Sequence, residues 1–242
     1  MVGKSQIKLI KSLQQKKYRN QHKLFVVEGE KTVRELLLSK IEVSRIFTSE
    51  ENFGKKLGHI CDLVSISEMK QMSSLKNSSS VLGVFHIPKS EKLEIKDWTV
   101  GLDDIRDPGN LGTIIRLCDW FGIKNLVCSI TTVDCYNPKV LQATMGSISR
   151  VNIVYMNLKL FLEETELPIY GAFMDGKVVY KEKIPEKGVL VMGNEANGVS
   201  KEIEALCTNK ISIPQFGDST TESLNVATAT SILLNEIRRF SF

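Results

Sequence analysis

The chain has 242 residues, 42% hydrophobic and 25% charged, which suits one large or two small folded cores and excludes a disordered or fibrous protein. Its net charge of +4 is unevenly placed: residues 1–97 hold 18 Lys+Arg against 11 Asp+Glu, and residues 98–242 hold 14 against 17. No run approaches the ~20 apolar residues that cross a bilayer, and the charged N-terminus lacks an apolar signal core, so a soluble, cytoplasmic protein is expected.

In the front half, Ile7, Ile10 and Leu13 fall at helical spacing among lysines and predict a helix over 4–20. A strand follows at Phe25–Val27, a helix at Glu30–Leu38, and strands at Ser44–Thr48 and Asp62–Ser65 with a polar helical segment between them. Ser67 is a candidate N-cap for a helix over Ser67–Leu75, and Val81–Ile87 reads as a closing strand. The polar, charged stretch opened by Pro88 reads as a linker, giving a front domain of 1–88, a linker of 89–97 and a back domain of 98–242.

The back domain alternates. Strands are predicted at Trp98–Leu102, Asn125–Cys128, Val151–Val154, Ile169–Phe173, Val189–Met192 and Ile211–Ile213, with helices at 110–121, 138–146, 158–165, 200–207 and 224–239. Such alternation makes an α/β domain with a mostly parallel sheet, whose ligands bind beyond the carboxyl ends of the strands. Five scattered cysteines without a C-x-x-C pair and three dispersed histidines predict reduced thiols, no disulfide framework and no metal.

Three segments concentrate polar residues and glycine after strands. Leu102–Arg116 runs through Pro108-Gly109, a turn signal, to Asn110 as a helix cap, and Arg116 falls on the helix face away from Ile114, Cys118 and Phe121. Val189–Gly198 ends an apolar strand in Met192 and Gly193, followed by Asn194, Glu195, Asn197 and Gly198. Its glycines suit close backbone approach to a ligand, and a plain strand-to-helix turn capped by Ser200 fits equally. Ile211–Ala229 leaves a strand at Ile213-Pro214 and reaches Ser223-Leu224-Asn225 before a helix rich in small residues. Alone, Ser223 and Asn225 read as caps and Arg116 as a solvated arginine.

In this order and spacing the segments resemble the three motifs of the SpoU (TrmH-like) family of RNA ribose 2′-O-methyltransferases, within the SPOUT superfamily. Asn110-x-Gly112-x-x-x-Arg116 is similar to the first motif, Gly193-Asn194-Glu195-x-x-Gly198 to the second, and Ile213-Pro214 with Ser223-Leu224-Asn225-Val226-x-x-Ala229 to the third. Asn137–Gly146 resembles the segment these proteins carry between the first two motifs. The front domain resembles, more loosely, the family's small ribosomal-protein-like RNA-binding domain, through Lys17-Tyr18-Arg19, Phe25–Gly29 and Val81–Val84. The loop from Pro214 to Ser223 is slightly longer than the family pattern.

The resemblance implies a trefoil-knotted catalytic domain, a homodimer, and S-adenosylmethionine as cofactor, held at Met192, Gly193, Ile213 and Leu224. It implies that Asn110, Arg116, Glu195, Ser223 and Asn225 form the catalytic site and that Lys16, Lys17 and Arg19 meet RNA. An arginine stays protonated at neutral pH, so Arg116 suits holding a phosphate and a developing alkoxide better than removing a proton. Ribosomal RNA is the favoured substrate. Transfer RNA, a base-directed methyltransferase of the same fold, and a non-catalytic RNA-binding protein are the alternatives, and a dinucleotide oxidoreductase is disfavoured by the missing G-x-G-x-x-G.

Overall fold

The computed structural model describes residues 2–55, 60–89, 91–217 and 223–239. Residues 218–222, and with them the expectation of a longer loop between Pro214 and Ser223, lie outside the described residues. The chain divides into two compact units. The first comprises the described residues of Met1–Lys89 together with Asp134–Ser149, and the second those of Ser90–Val133 and Arg150–Phe242.

The first unit is built on a four-stranded sheet of β1 (Leu24–Glu28), β2 (Val43–Thr48), β3 (Cys61–Leu63) and β4 (Val81–His86), in the order β1-β4-β2-β3. β4 runs antiparallel to both β1 and β2, and β2 pairs parallel with β3. β4 is buried over Val81–Phe85, as a central strand covered on both faces must be. Ile10, Leu13, Phe47, Met69, Met72, Leu82 and Val84 make the core that α1 (Lys4–Ser12) and α5 (Ile66–Met72) cover.

Two sequence expectations change here. The single helix over 4–20 is two, α1 and α2 (Lys16–His22), because the chain turns at Leu13–Gln15. The buried Arg19 guanidinium donates to the Leu13 and Gln14 carbonyls at 2.8 and 2.7 Å, taking acceptors that the end of α1 leaves open. The cap of α5 is Ser65, not Ser67: Ser65 Oγ accepts from the Glu68 amide and Glu68 accepts from the Ser65 amide, a reciprocal capping box that only a carboxylate three residues on can close. α3 (Glu30–Leu37) and α4 (Glu51–Lys55) complete the front of the chain.

Asp134–Ser149 belongs to this unit although it comes from the back half of the sequence. Its α7 (Pro138–Thr144) starts at Asn137, whose side chain accepts from the Lys139 amide. The Tyr136 ring lies 4.8 Å from that of Phe25, and Asp134 pairs with Arg19 at 2.6 Å.

In the second unit β5 (Thr99–Leu102), β6 (Asn125–Ser129), β7 (Asn152–Met156), β8 (Ile169–Val178), β9 (Val189–Met192) and β10 (Asn209–Ser212) form one sheet in the order β10-β8-β9-β5-β6-β7. Every described pairing in it is parallel. β5 and β9 are wholly buried, which explains their unbroken apolar runs. β8 continues past the expected end at Phe173 because Lys177 and Val178 pair with Ile211 and Ser212 after a register shift in β10. Gly176 permits this approach: a Cβ there would stand 2.6 Å from the Ile211 carbonyl carbon. The helices are α6 (Pro108–Trp120), α8 (Leu158–Glu164), α9 (Lys201–Glu204) and α10 (Val226–Arg238).

The order of this sheet fixes where a ligand can sit. From β5 the chain moves outward through β6 and β7, then returns on the other side through β8, β9 and β10. β5 and β9 therefore flank the point where the winding reverses, and the crevice beyond their carboxyl ends is where open parallel sheets bind ligands.

Candidate active site

The three polar segments leave the carboxyl ends of β5, β9 and β10, and hydrogen bonds tie them together. The first enters α6 through Asp107, whose Oδ1 accepts from the Asn110 amide at 2.8 Å, with Pro108 opening the helix. Asn110 is therefore not the cap expected from the sequence. It lies inside the first turn, and its side chain is free for other work. The Asp-Pro pair was the available signal, since proline at the first helical position points to the residue before it as the cap.

Asn110 is the middle of a chain of polar contacts. Its Nδ2 donates to Glu195 Oε1 at 3.1 Å, and its Oδ1 accepts from Asn225 Nδ2 at 2.8 Å. Glu195, after β9, also accepts from the amides of Asp107 at 3.1 Å and Arg106 at 3.3 Å. Asn225 caps α10, its Oδ1 accepting from the amides of Ala227 and Thr228 at 2.9 and 3.3 Å. One residue from each motif is thus joined as Glu195–Asn110–Asn225. Partial burial by itself would raise the Glu195 carboxyl pKa, but the bonds from Asn110 and from the backbone outweigh it and hold the group below its usual value.

The turn after β9 closes on itself. Asn194 and Gly198 exchange backbone hydrogen bonds at 2.9 Å, and Asn194 Oδ1 accepts from the amides of Ala196 and Asn197. A Cβ at Gly193 would fall 2.1 Å from the Val199 nitrogen, so this glycine is required by its own turn. Of the two readings left open by the sequence, the demands of the turn itself account for this glycine. Gly198 has φ +67°, the left-handed conformation that glycine adopts freely. Ser200 starts α9 without a side-chain bond, and its amide instead donates to Asp103 Oδ2 at 2.8 Å.

Asp104 was not singled out by the sequence, and no local signal marks it. It has φ +58°, rare for a residue with a side chain. Its amide donates to Ser129 Oγ at 2.9 Å and its carbonyl accepts from Asn194 Nδ2 at 2.7 Å, so neighbouring loops hold it there.

Arg116 lies two turns into α6 and is exposed. It makes no hydrogen bond or ion pair with the described residues, and helical side chains lean toward the helix N-terminus, here the carboxyl edge of the sheet. Ser223, Leu224 and Asn225 are exposed, Ile213 is half-buried, and Met192 and Gly193 are buried. Lys16 and Lys17 are exposed on α2. Arg19 is not available as expected: it is 3% exposed, with its guanidinium on Asp134 and two carbonyls.

Met192, Gly193, Ile213 and Leu224 offer apolar side chains and main-chain groups without a charge. Such a set fits a neutral purine, and the half-exposed Leu224 beside Asn225 gives a flat ring an apolar partner. Among the described residues no group of three His, Cys, Asp or Glu could hold a metal ion, and no helix is long and apolar enough to cross a membrane.

Comparison with known proteins covers both the front and the back of the chain. Residues 97–235 match the SpoU rRNA Methylase family, and residues 4–83 match the MRM3-like substrate binding domain. The 23S rRNA (guanosine(2553)-2′-O)-methyltransferase RlmP of Bacillus subtilis is 31% identical over 236 residues, covering 94% of each chain. A protein described as an RNA methyltransferase of the TrmH family, from Porphyromonas gingivalis, superposes with a TM-score of 0.89 at 34% identity, covering 99% of each chain. An AdoMet-bound rRNA methyltransferase from Sinorhizobium meliloti superposes at 0.87 with 28% identity, over 100% of this chain and 98% of that one. Fold and site together define an RNA methyltransferase of the SPOUT type. Within that class, the chain belongs to the SpoU rRNA Methylase family.

Proposed function

We propose that this protein transfers the methyl group of S-adenosylmethionine to a ribose 2′-hydroxyl of ribosomal RNA. The observation that carries the reading is the Glu195–Asn110–Asn225 chain, which joins all three motif loops beyond the carboxyl ends of the strands, with an arginine unpaired among the described residues on the adjoining helix. The names of the relatives favour ribosomal over transfer RNA.

S-adenosylmethionine, when bound, supplies a methyl group already activated on a sulfonium. The protein's task is then alignment and making the ribose oxygen a better nucleophile. Met192, Gly193, Ile213 and Leu224 would hold the adenosine part. The Arg116 guanidinium, without a competing partner among the described residues, would grip the acceptor phosphate and stabilise the alkoxide as the hydroxyl proton leaves to solvent. Asn110 and Asn225 would fix the position of the ribose, with Glu195 setting the orientation of Asn110 and Ser223 completing the wall.

Residues 1–88 would act as the RNA-binding domain, 89–97 as linker and 98–242 as the methyltransferase domain, with Lys16 and Lys17 on phosphates. Family membership supports a trefoil knot in the catalytic domain, a homodimer and a cytoplasmic location. Methyl transfer from labelled S-adenosylmethionine to unmodified ribosomal and transfer RNA tests the reading. An alkali-resistant labelled dinucleotide from ribosomal RNA supports it, whereas label on a base, or on transfer RNA alone, overturns it.

A further inference from the structure

The loop between β5 and α6 is crowded with carboxylates. Asp103, Asp104 and Asp107 lie on it and Glu195 is bonded to it, and across residues 103–116 the only cations are Arg106 and Arg116. An RNA backbone brought to this edge would be repelled unless a cation faced each phosphate it presents. Arg116 serves one. Arg106 is placed to serve a second.

Arg106 is held rather than loose. Its Nε donates to Asp104 Oδ1 at 3.1 Å and its Nη2 lies 3.0 Å from Asp104 Oδ2, a two-pronged pair. Asp104 is itself fixed in its left-handed conformation by Ser129 and Asn194, and Asn194 Nδ2 also approaches Asp104 Oδ2 at 3.3 Å. A strained residue kept in place by two neighbouring loops is a feature that functional sites carry. The Arg106 side chain nevertheless remains 73% exposed, and the backbone amide of the same residue donates to Glu195. Its guanidinium has five N–H groups, and Asp104 engages one edge of the fork. The rest of the fork belongs to a side chain that is mostly exposed, on a residue whose backbone is bonded to Glu195 of the Glu195–Asn110–Asn225 chain.

We propose that Arg106 is a substrate-positioning residue that binds a backbone phosphate of the RNA next to the acceptor nucleotide, pre-set for that contact by Asp104. The inference rests on the proposed RNA methyl transfer. Pre-orienting the fork removes part of the ordering cost that a free arginine would incur on binding, and a single phosphate contact adds affinity without reading sequence.

The test is Arg106→Gln in the full-length protein, with ribosomal RNA transcribed in vitro and therefore unmethylated. Expected is a roughly tenfold loss of RNA affinity and a log Kd against log salt slope shallower by about one. The KM for RNA should rise while kcat, the cofactor Kd and Tm hold. Arg106→Lys should recover the salt slope but only part of the affinity, since an ammonium keeps the charge and loses the fork. Unchanged RNA affinity and slope, or a fall in Tm and cofactor binding together with RNA binding, would overturn the proposal and leave Arg106 a brace of the loop. If the wild type binds RNA but transfers no methyl group to ribose, the reaction assignment fails, and the binding arms still decide the role of Arg106.

Discussion

Arg116 and Asn225 separate what a residue holds together from what it does. Arg116 is exposed and touches no described polar partner, so Arg116→Ala should change stability by less than about 0.5 kcal/mol. The same change should lower kcat about 100-fold or more, as removing a donor to a developing negative charge does. If Arg116→Lys shifts the pH–rate profile by the difference in side-chain basicity, the arginine takes the proton after all. Asn225 has two tasks on two atoms: Oδ1 caps α10 and Nδ2 donates to Asn110. Asn225→Asp keeps the cap and loses the donor, so melting should hold while activity collapses. Asn225→Ala should lose both, with about 1 kcal/mol of stability. The resemblance of their segments to the family motifs made these residues visible, since alone they read as a solvated arginine and a helix cap. Asp104 was less visible, since a left-handed backbone is set by tertiary partners such as Ser129 and Asn194, whereas Asp107 is marked by the proline after it.

At the scale of elements, strands were easier to read than helix ends. β5 and β9 are apolar throughout because both faces are covered, whereas the break between α1 and α2 depends on Arg19 reaching back to carbonyls. The capping box of α5 gives a pH prediction. Bonds from the Ser65 amide, the Val2 amide and the Ser65 hydroxyl lower the Glu68 carboxyl pKa to about 2. A group depressed in the folded state stabilises fully above its ordinary value near 4.5, and that contribution fades as pH falls from there toward about 2. Ser65→Ala should raise the Glu68 midpoint, as a carbon-detected NMR titration would read, and weaken α5 by about 1 kcal/mol. In the turn after β9, Gly193→Ala sets a Cβ against the Val199 nitrogen and should distort the loop that carries Glu195. Loss of both cofactor binding and Tm is the expected outcome, and a variant that keeps both would show that the turn can open.

At the scale of the whole chain, alternation of strands and helices predicts the parallel sheet, and the charge asymmetry points to the front half as the part that meets a polyanion. What periodicity could not reveal is that Asp134–Ser149 packs with the front unit, because the Arg19–Asp134 and Phe25–Tyr136 contacts join positions more than a hundred residues apart. The buried Arg19–Asp134 pair predicts that Asp134→Ala costs about 3–5 kcal/mol, read as a fall in Tm, since it strands a charge without its partner. Lys16 and Lys17 are exposed, so neutralising both should instead flatten the salt dependence of RNA binding and leave Tm alone. The central claim is the reaction itself. It is tested most directly by incubating the full-length protein with labelled S-adenosylmethionine and unmodified ribosomal RNA, then digesting the product with alkali. A labelled alkali-resistant dinucleotide that Arg116→Ala abolishes is the predicted result. Label released on a free base, or no label despite bound cofactor and bound RNA, would contradict it.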